Sequence, residues 1–397
     1  MILCNMDRIQ IIVAGDLFPS DENYGMFVNG DAEALFGKEI CQLFTQADFS
    51  IANLEGALTD SIIPQQKDGP RIRASKETVF GIKSLGLSTV ALANNHITDY
   101  LHQGCVDTIH TLEQAGIKHV GLVTSDKSQS NGKFLSIEIK GKKVCIYNVS
   151  ETFFNQPSKD GYGANLYDEW IVCNDIRELK KNHDFLIVIY HGGAEYLPYP
   201  TPQTRTRFHR MAECGADFIT SQHTHCIGCE EWYKGSYLLH GQGNFLFARQ
   251  KMFPNITKQG LVCEISITDD GFDVKKHVVN IINDVLRYDS KQDLTHFKER
   301  SKRVDDEEFI VKEYQKLKVD EIMNKYLIAS KGGFPFRRII KRLFTSVIEH
   351  PEQTFLYGDV LRNYSVLQGE RRREDMYYVW KYILDNYKEN QSIWYKL

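Results

Sequence analysis

The sequence lacks long apolar runs, internal repeats and a surplus of basic charge, and each absence excludes a class of protein. No run of about 18 apolar residues occurs, so no transmembrane segment is predicted. The 48 Lys and Arg residues are outnumbered by 52 Asp and Glu residues, which gives a formal net charge of −4. Because proteins that bind nucleic acid normally carry a basic surplus, nucleic acid is not expected as a partner.

Paired cysteines and a targeting segment are also missing. The nine cysteines are odd in number and scattered, and several lie in apolar runs, where a free thiol behaves as a small hydrophobe. This distribution favours a reducing compartment over a disulfide framework. The first seven residues show no basic start followed by an apolar stretch, so no signal peptide is predicted and a cytoplasmic location is expected.

What is present is an alternation of apolar strands and helices. Short apolar runs at 9–14, 47–52, 89–93, 185–190 and 216–220 are separated by helical patterns. Two hairpins are predicted, at 134–149 and 261–282, each around a Gly-containing turn. The pattern indicates an α/β fold with a sheet layered between helices.

The predicted strands stop near residue 284, which divides the 397 residues into a domain at 8–285 and a helical region at 286–397. Helices are expected at 304–327 and 376–384, and a basic amphipathic helix begins at 337–344. That basic helix either packs on the main domain with its charges in water or makes a peripheral contact with a membrane or a protein.

Polar residues that can bind metal follow the ends of the predicted strands. They are Asp16, Glu55, Asn95, His96, His191, His223 and His225. Ligand sites of open α/β sheets lie at this end of the strands. Carboxylates, imidazoles and an amide oxygen suit Mn²⁺, Fe or Zn²⁺, and a carboxylate can bridge two such ions.

His223-Thr224-His225 is the most conspicuous of these motifs, because residues i and i+2 of an extended backbone point to the same side. Alone it is more often two structural histidines than a ligand pair. Cys226 and Cys229, which follow at once, could suggest a zinc knuckle, but no second Cys-x-x-Cys completes it.

The order of the motifs resembles the calcineurin-like metallophosphoesterase superfamily, and more closely the CapA-type proteins of poly-γ-glutamate capsule biosynthesis. The similar stretches are Gly15-Asp16, Asn53-Leu54-Glu55, Asn94-Asn95-His96 with Asp99, His191-Gly192-Gly193-Ala194-Glu195-Tyr196, His223-Thr224-His225 and Gly243-Asn244-Phe245. The resemblance implies a four-layer α/β/β/α metallophosphatase-like sandwich, with the C-terminal helical region outside it.

The resemblance also implies roles for these residues. Metal ligands would be Asp16, Glu55 in the bridging position, Asn95, His191, His223 and His225, holding one or two divalent ions. His96 would be the catalytic histidine. Around the ligands or against the substrate would lie Asn94, Asp99, Glu195, Tyr196 and Asn244. His240, beside the Gly241–Asn244 stretch, is predicted to support the ligands.

Two positions depart from the pattern. A typical metallophosphoesterase has Asp-x-His at the first strand, whereas this chain has Phe18 in place of the histidine. One ion position therefore lacks a ligand. Gln222 stands before His223, where glycine is usual.

Two functions remain open. The first is a metal-dependent hydrolase of capsule or exopolymer metabolism, in which water attacks a phosphoester or an amide bond of a small-molecule or polymer substrate. The second is a non-catalytic accessory or binding protein of polymer biosynthesis, for which the missing histidine at position 18 is the motivation.

Overall fold

Two β-sheets with helices on their outer faces form most of the chain in the computed structural model, which describes residues 8–67, 69–125, 132–158, 161–248, 254–322 and 374–378. The strands are β1 (Ile9–Phe18), β2 (Phe49–Leu54), β3 (Ala57–Leu58), β4 (Arg73–Ala74), β5 (Thr89–Ala91), β6 (Lys118–Val120), β7 (Leu122–Thr124), β8 (Phe134–Ile139), β9 (Lys142–Ser150), β10 (Tyr162–Ala164), β11 (Phe185–His191), β12 (Phe218–Gln222), β13 (Ile227–Tyr233), β14 (Ser236–Gln242), β15 (Asn244–Phe247), β16 (Gln259–Thr268), β17 (Gly271–Ile282) and β18 (Val285–Tyr288). The helices are α1 (Tyr24–Asn29), α2 (Ala32–Phe36), α3 (Lys38–Gln46), α4 (Val79–Ser84), α5 (Leu101–Ala115), α6 (Glu169–Lys180), α7 (Pro202–Glu213), α8 (Thr295–Ser301) and α9 (Glu307–Ile322).

The first sheet has the strand order β18-β17-β16-β1-β2-β5-β6, with β15 paired to β1 beside β16. Within it β1, β2, β5 and β6 run parallel, and β16 to β18 run antiparallel to their neighbours. The second sheet has the order β13-β14-β12-β11-β9-β8, with the four central strands parallel. Both predicted hairpins are confirmed, as β8–β9 and β16–β17.

Successive residues of the central strands face two different cores, which explains their continuous apolar runs. In β11, Ile187 and Ile189 lie in the core between the two sheets, whereas Leu186 and Val188 face the core under α6 and α7. In β1, Val13 faces the other sheet. A third core lies between the first sheet and helices α1 to α5. The four-layer α/β/β/α arrangement is therefore confirmed.

Strand β1 runs further than the sequence pattern predicted. Its apolar run was expected to end at Gly15-Asp16, but the strand continues to Phe18 and carries Asp16 within it. The reason is a second partner. Strand β16 pairs with β1 only as far as Val13, and β15 takes over with Asp16 opposite Asn244. The pairing register shifts at Asp16 on both sides, which marks a bulge there.

The expectation that strands stop near residue 284 is wrong. Strand β18 follows β17 and pairs with it antiparallel. The turn between them places Asn283 and Asp284 at φ values of 50° and 63°. These residue types tolerate the left-handed region, so Asn-Asp was the available signal for a hairpin.

The chain divides into two compact units, and the layered one comprises residues 1–65, 71–151 and 155–305. The other comprises 66–70, 152–154 and 306–397. Within the second unit, the Tyr314 hydroxyl donates to Asp375 and the Tyr314 ring lies 5.5 Å from that of Tyr378. The division at 285 into two domains stays a prediction.

Several expectations for the C-terminal region fall beyond the described residues. Helix α9 covers the described part of the helix expected at 304–327. The basic helix at 337–344, with its contact to a membrane or a protein, lies outside the described residues, as does the helix expected at 376–384 beyond residue 378. None of the helices in the described ranges is long and apolar enough to cross a lipid bilayer.

We expect Gly15→Ala to lower the free energy of unfolding by about 1–3 kcal/mol, because overpacking displaces main chain. A Cβ at Gly15 would lie 2.0 Å from the carbonyl oxygen of Gly243. Gly25→Ala is the control, since a Cβ there meets no atom within 4 Å. Chemical denaturation of both variants measures the difference, and equal stabilities would contradict the close approach of β15 to β1.

Candidate metal centre

The seven candidate residues lie at or just beyond the carboxyl ends of parallel strands in both sheets. They are Asp16 within β1, Glu55 after β2, Asn95 and His96 after β5, His191 at the end of β11, and His223 and His225 after β12. Strands β1, β2 and β5 are parallel in the first sheet, and β11 and β12 are parallel in the second. The ends of two sheets thus supply one cluster of polar side chains.

Two groups of donor atoms form within this cluster, and they share Glu55. The first group is Glu55, His191 and His223, and the second is Asp16, Glu55 and His225. Within each group the candidate ligand atoms all lie within 4.8 Å of one another. All five residues are buried. Each group could hold one cation, with the Glu55 carboxylate between them.

The chemistry of the donors fits a divalent metal ion. Burial, together with the neighbouring rings of His223, His225 and His96, holds the pKa of His191 well below its ordinary value of 6.5. His191 is therefore a neutral imidazole, the form that binds metal. Three imidazoles and two carboxylates suit Mn²⁺, Fe or Zn²⁺ and do not choose among them.

Asp16 is the most constrained carboxylate of the cluster. Burial raises its pKa from the ordinary value of 3.8, against the opposing effects of His225 and of hydrogen bonds. Its Oδ1 accepts a hydrogen bond from Asn53 Nδ2 at 2.8 Å, and its Oδ2 accepts one from the backbone N–H of His223 at 3.0 Å. The carboxylate is held in one orientation from both sheets.

Asn95 lies beside the first group. Its Oδ1 is 2.8 Å from Nε2 of His191, and that nitrogen is 3.8 Å from Oε1 of Glu55. An amide oxygen next to an imidazole and a carboxylate adds a further oxygen donor at this position.

His96 forms a pair with Asp99. Nδ1 of His96 lies 2.6 Å from Oδ2 of Asp99, which also accepts a hydrogen bond from the backbone N–H of Ile72 at 2.8 Å. Nε2 of His96 is 3.9 Å from Oε1 of Glu55. A carboxylate on Nδ1 fixes the tautomer and the ring orientation, so that Nε2 is presented to the cluster.

Asn94 and Asn244 support two of the histidines. The side-chain oxygen of Asn94 accepts a hydrogen bond from the backbone N–H of His96 at 3.1 Å, and its Nδ2 donates to the carbonyl of Leu54 at 2.8 Å. Oδ1 of Asn244 lies 2.9 Å from Nδ1 of His225. Both amides fix the orientation of a neighbouring group.

Glu195 and Tyr196 reach the two histidines of the turn after β12. Oε1 of Glu195 is 3.6 Å from Nε2 of His223. The ring of Tyr196 stacks at 6.4 Å from the ring of His225, and the Tyr196 backbone N–H donates to the carbonyl of Thr224 at 2.8 Å. This dipeptide therefore borders both groups.

The prediction that His223 and His225 face the same side of an extended backbone is wrong. Their φ values are 86° and 53°, in the left-handed region that residues other than glycine rarely adopt. The ring centroids lie 6.1 Å apart, and each ring belongs to a different group. Two strained residues at one site are characteristic of a functional turn.

His240 is the predicted residue that the structure places elsewhere. Its Nε2 is 2.9 Å from Oε1 of Glu231, and its ring stacks on Phe208 of α7 at 4.8 Å. The ring therefore points to the side of the second sheet that α7 covers, because the inter-sheet side of β14 is taken by the neighbouring Leu239. The structure brings His240 to Glu231 instead of to a ligand.

The cysteine pair forms no metal group among the residues described. Cys226 and Cys229 are buried free thiols, and burial raises the pKa of Cys226 to about 12. Protonated thiols are poor ligands. The eight cysteines of the described ranges are all free, so no disulfide framework is present there.

Asn53 is a site residue that the sequence reasoning missed. Its Nδ2 is 2.8 Å from Oδ1 of Asp16 and 3.2 Å from Nδ1 of His191, so one amide touches a carboxylate of one group and an imidazole of the other. Its position two residues before Glu55 in the matched Asn53-Leu54-Glu55 stretch was the available signal.

Phe18 stands among aromatic rings near the second group. Its ring centroid is 5.1 Å from that of Phe247, which in turn lies 5.3 Å from the ring of His225. Phe18 is buried. The side of the cluster nearest His225 is therefore bordered by hydrocarbon.

Comparison with known proteins gives one family match. The model described as "Bacterial capsule synthesis protein PGA_cap" matches residues 10–249. That span contains all seven candidate residues at the strand ends.

Two curated proteins are similar over part of the chain. "Capsule biosynthesis protein CapA" of Bacillus anthracis is 29% identical over 182 residues, covering 44% of this chain and 44% of that protein. "PGA biosynthesis protein CapA" of Bacillus subtilis strain 168 is 28% identical over 242 residues, covering 58% of this chain and 62% of that protein. The chain spans about half the length of the curated relatives it matches.

A solved structure with a similar course is a hypothetical protein from Thermus thermophilus. It is 12% identical, with a TM-score of 0.44, and the match covers 68% of this chain and 98% of that one. A likeness of this degree bears on neither substrate nor activity.

We expect His223→Ala and His225→Ala each to lower the affinity for Mn²⁺ at least about tenfold, because each removes a donor from one group. Glu55→Gln should lower total binding most, since its carboxylate belongs to both groups. Elemental analysis after dialysis against Mn²⁺ measures the bound metal. His110→Ala, on an exposed part of α5, is the control. Unchanged metal content in His223→Ala would contradict the first group.

The metal-free protein should lose stability as the pH falls below about 6.5, the pKa of an ordinary histidine. The pKa of His191 is lowered in the folded state, so below pH 6.5 the unfolded chain takes up a proton that the native site does not. The contribution amounts to up to about 1.4 kcal/mol per pH unit. Urea denaturation with EDTA from pH 7.5 to 5.5 should give a steeper loss in wild type than in His191→Gln. Equal slopes would contradict a neutral, buried His191.

Proposed function

The chain belongs to the bacterial capsule synthesis protein PGA_cap family, and from that premise we propose that it is a metal-dependent hydrolase of capsule or exopolymer metabolism. The proposed reaction is attack of water on a phosphoester, or on an amide bond of a poly-γ-glutamate-like polymer. The observation that carries the proposal is the pair of donor groups sharing Glu55, with the His96–Asp99 pair beside it.

The residues that would hold the ions are those of the two groups together with Asn95. The chemistry that a bound divalent cation supplies there is activation of water and neutralisation of charge on a phosphoryl or acyl oxygen. Asn53 and Asn244 orient Asp16 and His225, so the ligands are arranged before any ion arrives.

His96 would act on the leaving group or on the developing oxyanion. Asp99 accepts the Nδ1 hydrogen and directs Nε2 toward the carboxylate of Glu55. From that place Nε2 can donate a proton to the leaving atom, or a hydrogen bond to an oxygen that gains charge. The side chain is buried, which strengthens such an interaction.

A polymer-related substrate is supported by the names of the curated relatives, which are capsule and PGA biosynthesis proteins. The substrate of this chain stays part of the proposal, because those matches span about half of each relative. The donor groups suit phosphoester and amide chemistry equally, since both reactions develop charge on oxygen.

A second candidate is a non-catalytic accessory protein of polymer biosynthesis. The observation that favours it is Phe18, which supplies an aromatic ring where the resemblance expects a histidine ligand. In that case the donor groups would hold a structural ion, or one ion where a two-ion hydrolase needs two.

The test is a panel of substrates with Mn²⁺, Zn²⁺ or Fe²⁺. It includes a phosphomonoester, a phosphodiester and γ-glutamyl oligomers, with release of phosphate, alcohol or free amine as the readout. We expect metal-dependent turnover of at least one substrate, and a fall in kcat of about 10²–10⁴-fold in His96→Ala, the effect of losing a general acid.

His110→Ala is the control for this experiment, and the metal content of every variant is measured alongside. Loss of turnover with metal retained in His96→Ala supports the hydrolase. Metal-loaded wild-type protein that turns over no member of the panel would favour the accessory role.

A further inference from the structure

The spacing of the candidate ligands depends on how the two sheets are held against each other. Asp16 lies in a strand of the first sheet, whereas His191 lies in a strand of the second. The surface between the sheets consists of apolar side chains such as Val13 and Ile187. Apolar packing is non-directional, so it leaves the position of one sheet along the other weakly fixed.

Gln222 makes a directional link across this surface. Its side chain is buried, and Nε2 donates to the carbonyl of Ala14 at 2.9 Å. Ala14 lies two residues before Asp16 in the first sheet, and Gln222 directly precedes His223 in the second. One hydrogen bond therefore joins the strand that carries Asp16 to the strand that leads to His223.

Asn148 makes the corresponding link on the other side of the site. From β9 of the second sheet, its Oδ1 accepts hydrogen bonds from the backbone N–H groups of Leu92 at 3.1 Å and Ala93 at 2.7 Å. Its Nδ2 donates to the carbonyl of Ile189 at 3.0 Å. Ala93 lies two residues before Asn95, and Ile189 lies two residues before His191.

The surroundings leave Asn148 little freedom. A Cβ at Gly121 would lie 1.9 Å from Oδ1 of Asn148, so only glycine leaves room for the amide. Two more amides add links of the same kind. Gln242 Nε2 donates to the carbonyl of Val13 at 2.6 Å, and Asn155 Nδ2 donates to the carbonyl of Asn94 at 3.1 Å.

We propose that Asn148 and Gln222 are positioning residues that set the spacing of the metal ligands across the two sheets. The proposal rests on the metal centre proposed above. Hydrogen bonds are directional and keep their lengths within a few tenths of an ångström, and these reach the main chain immediately before ligands of both groups. Gln222 occupies the position where the resemblance expects glycine, which has no side chain to reach Ala14.

The test measures metal binding, because a merely stabilising role would not alter it. Full-length protein is titrated with Mn²⁺ by calorimetry, and the electron paramagnetic resonance spectrum of bound Mn²⁺ is recorded. Gln222→Met and Asn148→Leu replace each amide by an apolar side chain of similar size. We expect the Kd for Mn²⁺ to rise about tenfold, the lower end of the effect of altering groups that orient metal ligands. The spectrum should change with the ligand geometry.

Asn23→Leu is the matched control. Asn23 is equally buried, and its Nδ2 donates to the carbonyl of Asp284 at 3.0 Å, but it precedes α1 on the helical side of the first sheet. We expect Asn23→Leu to lower the thermal midpoint as the two test variants do. Its Kd for Mn²⁺ and its spectrum should equal those of wild type.

Wild-type Kd and spectrum in folded Gln222→Met and Asn148→Leu would overturn the proposal. An equal change in Asn23→Leu would also overturn it, and so would failure of both test variants to fold, because the amides would then serve stability alone. Absence of Mn²⁺ binding by wild-type protein would instead overturn the metal centre itself, which separates the two failures. The measurement needs no turnover, so it is independent of the hydrolytic reaction.

Discussion

Two carboxylates and three imidazoles lie buried within a few ångströms of one another, and their desolvation must be compensated. Much of the layered unit is arranged around this requirement. Parallel strands of both sheets end at the cluster, and buried amides occupy the places where a strand would otherwise present only hydrocarbon. The donor set is one that a divalent cation compensates well, because imidazole and carboxylate are among its common ligands.

The sequence predicted the parts of this arrangement that depend on local pattern. Continuous apolar runs such as 185–190 indicate strands covered on both faces, and the polar residues after such runs are necessarily at a strand end. That was sufficient to name the candidate ligands. The resemblance added the layered fold and the expectation that Glu55 bridges, which agrees with its membership of both donor groups and stays a prediction until an ion is observed.

The remaining features depend on contacts between distant segments. The length of β1 is set by β15, more than two hundred residues later, so its own apolar run could not reveal it. The left-handed backbone of His223 and His225 follows from the turn that joins β12 to β13. Asn148 and Asn53 read as ordinary polar residues in strands, and only the facing sheet or the neighbouring strand gives their side chains a partner.

The shared carboxylate of Glu55 has a consequence for how the protein can diverge. Exchange of an imidazole alters one donor group, whereas exchange of Glu55 alters both at once. The two ion positions are therefore not independent units of variation. Adaptation to a different metal, or loss of one ion, is open to change at His191, His223 or His225, while the residue between the groups admits only changes that both positions tolerate.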